Sequence, residues 1–251
     1  MPRDDEQAQA FINLAWKVGG KLLQERLPVP VGPTRPEHML GAFRRLAERI
    51  IDRAVERAVD EGLGVSCQAG CGACCRQLVP ISPTEARHLS GLIAQLDDDH
   101  RERVQQRFAD GLSRFEAQGM LDVLLHPRPL QAKEAEALAL RYFSAGVACP
   151  FLEEESCSIH SERPIACREY LVSSDPRHCA APTPETVKRI PIAAEVSEAL
   201  GRVDRGGTRG DRTNWVPLVV APRWAELHRD DRSPEPATTI FDRVLEQLQP
   251  K

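Results

Sequence analysis

Long apolar runs are missing from this chain. No stretch of about 18 consecutive apolar residues occurs, the length a helix needs to cross a bilayer, so no membrane partner is expected. A basic surplus is missing too. The 33 Lys and Arg stand against 37 Asp and Glu, a net charge of −4, whereas a general nucleic-acid binder carries a strong positive excess. Aromatic residues reach only 5%, and mean hydropathy is −0.37. The opening MPRDDEQAQAFINLAWKV has acids ahead of its short apolar stretch. It lacks the basic start, continuous apolar middle and small-residue cleavage site of a secretory signal. The expected compartment is therefore the cytoplasm, where thiols stay reduced. There is no G-x-G-x-x-G, no Gly-x4-Gly-Lys-Ser/Thr, no H-E-x-x-H and no G-x-S-x-G, the usual signs of nucleotide, metalloprotease and hydrolase sites.

Cysteine, by contrast, is plentiful. The eight are Cys67, Cys71, Cys74, Cys75, Cys149, Cys157, Cys167 and Cys179. An even number also fits four disulfides, but 251 residues at 41% hydrophobic content can bury a real core without covalent staples. Cys67-x3-Cys71-x2-Cys74-Cys75 places four thiols within nine residues, a density that packing alone does not explain. Gly70 and Gly72 flank Cys71, allowing tight turns and close backbone approach. Adjacent Cys74 and Cys75 leave the backbone in different directions, so they do not bind one metal in the same simple way. Cys149-Pro150 fits an iron–sulfur ligand followed by proline, yet the gaps among Cys149, Cys157, Cys167 and Cys179 match no common ferredoxin spacing. The expected cofactor is an iron–sulfur cluster or zinc.

The blocks CQAGCGACCR at 67–76 and CPFLEEESCSIHSERPIACREYL at 149–171, with Ser82 to Glu85 as a helix start between them, resemble the YkgJ-type, or CxxCxxCC, cysteine-cluster family of zinc- or iron-chelating domains. Three residues separate Cys67 from Cys71 where the family shorthand has two, and His160 stands where relatives tend to carry Tyr. The resemblance implies metal binding, with all eight cysteines as candidate ligands and at least four of Cys71, Cys74, Cys75, Cys149, Cys157 and Cys167 holding the centre. A relative with the same type of block, the flagellin lysine N-methylase, is associated with an iron–sulfur cluster and methyl transfer. By that analogy a protein-modifying enzyme is the alternative, and a zinc-stabilised adaptor for a protein partner is a third reading. The absent glycine fingerprint weakens a nucleotide-type cosubstrate such as S-adenosylmethionine.

Arg76, Arg163 and Arg168 flank the cysteines and are the candidates to balance thiolate charge or hold an anionic ligand. Ordinary pairing with Glu162 or Glu169 is the plainer role, and both can hold together. His160 and His178 neighbour the motifs, but eight thiols already exceed one four-coordinate site. Tyr170 reads as core.

The predicted fold is mainly α, a helical domain with one small β-hairpin at 149–160. Helices are expected over 6–27, 37–61, 82–96, 99–117, 129–144, 161–171, 192–204, 222–229 and 238–248. Over 37–61, apolar residues from Met39 to Val59 recur at three- and four-residue steps, while Arg45, Arg49, Arg53 and Arg57 each face an acid three residues on. Ser82, Pro83 and Glu85 form a helix-start signature. Residues 174–191 read as loop, Arg205 to Arg212 as a flexible basic loop, and Trp215 to Ala221 as extended. Three segments are expected: a helical 1–64, a cysteine-cluster domain 65–180, and a C-terminal extension 181–251 packed on it.

Overall fold

A computed structural model describes residues 9–127, 130–183, 185–204, 215–230 and 232–248. The chain begins with an antiparallel hairpin, β1 (Gln9–Val18) and β2 (Lys21–Pro30), paired from Gln9↔Pro30 to Val18↔Lys21. This corrects the helix expected over 6–27. Gly19 and Gly20 both take positive φ, +56° and +78°, as a two-residue hairpin turn requires. Burial alternates with period two through Ala10, Ile12, Leu14, Trp16 and Val18, while Phe11 faces out beneath the Arg26 guanidinium. The apolar residues that suggested a loose helical face belong to both faces of a ribbon.

β3 (Pro33–Thr34) leads through a short 3-10 turn into α1 (Leu40–Asp60). Leu40, Phe43, Leu46, Ala47, Ile50, Ala54 and Ala58 bury one side of α1 at helical spacing. On its outer face Arg49–Asp52 and Arg53–Glu56 pair at 2.9 Å, but Glu48 is taken by Arg168 from elsewhere in the fold. After the first cysteine block come β4 (Pro80–Ile81), α2 (Pro83–Gln95), α3 (Asp98–Ala117), α4 (Leu121–Leu125) and α5 (Ala132–Ser144). The second block contains β5 (Leu152–Glu153), β6 (Ser156–Cys157) and α6 (Ile165–Glu169). Strand pairing in this block spans only those two-residue rungs, well short of 149–160.

The chain closes with α7 (Val196–Asp204), β7 (Val216–Pro217), α8 (Ala221–Leu227), β8 (Glu235–Pro236) and α9 (Ala237–Gln247). The helix expected from 192 begins at Val196, where the Glu169 carboxylate accepts the Val196 N–H at 2.6 Å. The extended run expected at 215–221 is confined to β7. Leu218–Val220 coil into a 3-10 turn, with the Leu218 N–H donating to Val79 O at 3.0 Å. The basic loop expected at 205–212 lies outside the described residues. No helix among the described residues is long and apolar enough to cross a membrane.

Two large apolar cores form. One packs β1–β2, α1, α7 and α9 together and includes Ile165 of α6. The other joins α2, α3, α4, α5 and the 216–224 stretch, and includes Phe151 and Ile159. The second cysteine block, running from Phe151 to Ile165, therefore spans the junction of the two cores.

Candidate metal centre

The first block forms a compact loop. Gly70, at φ +82°, makes the turn in which the Cys71 N–H donates to Gln68 O at 3.2 Å. Ala73–Arg76 then wind one 3-10 turn that carries Cys74 and Cys75. In the second block the Leu152 N–H closes a turn onto Cys149 O at 2.9 Å. The two blocks meet directly: the Cys149 N–H donates to Cys75 O at 2.7 Å.

Gly72 permits that approach. A Cβ there would lie 2.6 Å from Leu152 Cδ1 and 2.9 Å from Glu155 O, closer than real side chains come. Across the same contact Arg76 grips both carboxylate oxygens of Glu155 and donates to Gly72 O at 3.0 Å. Glu154 and Glu155 sit at φ 47° and 58°, left-handed conformations that cost energy without glycine. The Arg76 fork holds this turn in place.

Cys167 is set by a different device. Ser82 and Glu85 form the capping box of α2, and the second Glu85 oxygen accepts the Ile165 N–H at 2.7 Å. One buried carboxylate thus caps two helices that are far apart in sequence. Arg168 braces α6 from the other side, bonding Glu48, Ser161 O and Arg163 O.

All eight thiols are free and line two adjoining cavities. An inner cavity of about 60 Å³ is walled by Cys71, Cys74, Cys75, Cys149, Cys157 and Cys167, and backed by Phe151, Ile159 and Leu218. An outer cavity of about 180 Å³ is walled by Cys67, Cys71, Cys74, Cys167 and Cys179. His160 and Arg163 reach both. The thiols face these cavities without converging on one point. Among the described residues, no group of three or more His, Cys, Asp or Glu forms a ready-made ion site.

Several sulfurs already receive backbone donors. Cys67 Sγ accepts the Val172 N–H at 3.4 Å. Cys149 and Cys157 accept the N–H groups of Phe151 and Ile159, each two residues on. Such donors offset thiolate charge and orient the sulfur. Burial pushes the Cys149 thiol up to about 12 and Cys179 to about 11, and drives Cys167 far above its ordinary range. Cys157 and Cys67 move up for the same reason. Cys74 goes the other way, to about 7, because its thiolate accepts a hydrogen bond from Cys75 and faces Arg163. Cys75, the donor of that bond, is raised correspondingly, with burial adding to the effect.

Without metal, then, most of these thiols are neutral, which makes them cheap to bury. A bound cation would displace their protons and supply the missing charge. Arg163 supplies part of it already: its buried Nε has no hydrogen-bond partner, and its guanidinium faces Cys67, Cys74 and Cys157. Soft sulfur donors, N–H groups aimed at sulfur and an unpartnered guanidinium nitrogen together fit a thiophilic metal.

The three flanking arginines therefore divide. Arg163 lines both cavities, Arg76 clasps the β5–β6 turn, and Arg168 is spent on α1 and on local carbonyls. Glu162 pairs instead with Arg44 and with His88, and Glu169 caps α7. His178 is exposed on the 3-10 turn 176–180 and lines neither cavity, and Tyr170 is half-buried under Arg189. Sequence reasoning missed Gln77, whose side chain donates to Cys179 O at 2.7 Å, and the second contact of Glu85. The capping-box signature was the only trace of the latter.

Residues 66–185 match the model of the CxxCxxCC family, described as "putative zinc- or iron-chelating domain". No curated protein and no solved structure matches the chain.

Proposed function

We propose that this chain, which carries a CxxCxxCC domain over residues 66–185, binds zinc or iron through thiolates drawn from both of its cysteine blocks. The observation that carries the reading is the inner cavity, whose wall brings together Cys71, Cys74 and Cys75 of one block and Cys149, Cys157 and Cys167 of the other, backed by apolar side chains. The metal, when bound, supplies a cross-link between the blocks and, as iron, one-electron chemistry. The chain's own residues do the rest. Phe151 and Ile159 give N–H groups to sulfur, Arg163 balances charge, and Glu85 sets the position of Cys167. Binding requires the facing thiols to rotate toward one another, and the metal–sulfur bonds offset that ordering. Keeping so many thiols free calls for a reducing compartment, the cytoplasm in this reading.

The test is metal analysis of protein purified without oxygen, for zinc, iron and acid-labile sulfide. Bound zinc, or iron with or without sulfide, supports the reading, and sulfide with a visible absorbance band selects a cluster. Native, fully reduced protein that takes up neither metal refutes it.

A second reading, in which the centre serves a reaction, draws on a further cavity of about 320 Å³ that shares Cys74 and Cys167 with the thiol site. Its apolar wall runs from Leu78 to Ile81, and Trp215 adds an aromatic side chain. That volume is in the range of small-molecule pockets. Calorimetry of the metal-loaded chain with S-adenosylmethionine tests the methyl-transfer form of this reading. Heat of binding at about one ligand per chain supports it, and no heat with the metal in place refutes it.

A further inference from the structure

We infer that the eight cysteines build two adjoining metal positions, an inner one and an outer one that share a wall. The inference rests on the metal-binding reading above and extends it to the number and character of the sites.

A thiolate zinc site closes at four ligands, whereas the inner cavity alone has six thiols on its wall. Cys75, Cys149 and Cys157 line only that cavity, and Cys67 and Cys179 line only the outer one. Cys71, Cys74 and Cys167 lie between and face both. The shared wall can complete both sets, by division or by bridging, without any residue from outside.

Cys67 and Cys179 are also positioned like ligands and unlike packing residues. Cys179 is buried yet belongs to none of the three apolar clusters. The 3-10 turn that carries it, Pro176–Ala180, is tied to the first block by Gln77, which donates to the Cys179 carbonyl. Cys67 is exposed, and its sulfur is oriented by the Val172 N–H. Without a ligand in the outer cavity, nothing in the packing accounts for bringing these two thiols to the same wall.

The two positions differ in access. The inner one is backed by Phe151, Ile159 and Leu218 of an apolar core. The outer one includes exposed Cys67 and a larger cavity. The inner metal is thus the slowly exchanging one, and the outer metal is the one a chelator reaches first. Arg163 and His160 face both cavities, so one guanidinium screens the thiolates of each.

The experiment uses the full chain, reduced and prepared without oxygen. Zinc is titrated against a competing chelator, and bound zinc is counted per chain. Two equivalents are expected, released in a fast and a slow phase, and C67S/C179S should retain one, released slowly. A wild-type end point of one equivalent, of zinc or of a cluster, overturns the inference while leaving the metal-binding reading intact. No bound metal at all removes both. The double variant overturns the inference if it still holds two equivalents. Cadmium-113 NMR of the wild-type chain, which depends on no variant folding, should show two thiolate-bound resonances; a single resonance contradicts the inference.

Discussion

Replacing Gly72 with alanine adds one methyl group at the contact between the two cysteine blocks. That methyl would lie 2.6 Å from Leu152 Cδ1 and 2.9 Å from the Glu155 carbonyl oxygen. The leucine can swing aside, but the carbonyl moves only if the β5–β6 turn moves with it. Gly72 has φ −94°, which alanine adopts without strain, so the whole effect comes from crowding. Overpacking of this kind costs about 1–3 kcal/mol. Up to about 1 kcal/mol returns because alanine restricts the unfolded chain. The expected net loss is about 1–2 kcal/mol, or about 2–8 °C in Tm for a chain of this size. Metal affinity should fall as well, because Cys71 to Cys75 are forced away from Cys149 and Cys157. Thermal melts and chelator competition on both proteins measure the two effects. Gly91→Ala is the control, since Gly91 is an exposed position within α2 with nothing within 4 Å of an added Cβ. It should gain about 0.5–1 kcal/mol from helix propensity with metal binding unchanged. A Gly72→Ala protein with wild-type Tm and wild-type affinity would refute this account of how the blocks meet.

Glu85→Ala removes the α2 cap and the acceptor for the Ile165 N–H together. By denaturant unfolding the loss should be about 2–4 kcal/mol, and a loss below about 1 kcal/mol would mean the shared carboxylate does not link the helices. In metal-free protein Cys74, with its thiol brought down to about 7, is half thiolate near neutral pH, and its alkylation rate should level off by about pH 8. Cys149, pushed up to about 12, should react ever faster through that range and beyond. Peptide mapping against pH checks the order, and Cys149 reacting first at pH 7 contradicts it. Arg163→Met should lower metal affinity by about 10-fold or more with little change in the metal-free fold, because Arg163 lines both cavities. Arg168→Met should mainly destabilise the fold, since its partners are Glu48 and local carbonyls. The reverse pattern would exchange their roles.

Much of the helical scaffold was legible in the sequence because its signals are local. The apolar spacing of α1 and the capping box of α2 act within a few residues, and both elements form where those signals stand. The N-terminal hairpin was misread because Gly19-Gly20 can weaken a helix or turn a ribbon, and the apolar residues around it satisfied either period. Burial on the face of β2 that packs against α1 decides between them, and that contact is not local. The thiol site was legible from cysteine density. The separation of Arg163 from Arg76 and Arg168 was not, because it depends on partners such as Glu155 and Glu48 that come from distant elements. The second role of Glu85 and the tether from Gln77 to Cys179 likewise cross the fold.

Whether both cysteine blocks ligate the metal can be read by cysteine footprinting. Metal-loaded protein, prepared without oxygen, is alkylated briefly and each cysteine is read by mass spectrometry before and after chelation. Cysteines from 71–75 and from 149–167 should be protected together by metal and released together by its removal. Protection confined to 67–75, with Cys149, Cys157 and Cys167 equally reactive in both states, would contradict it.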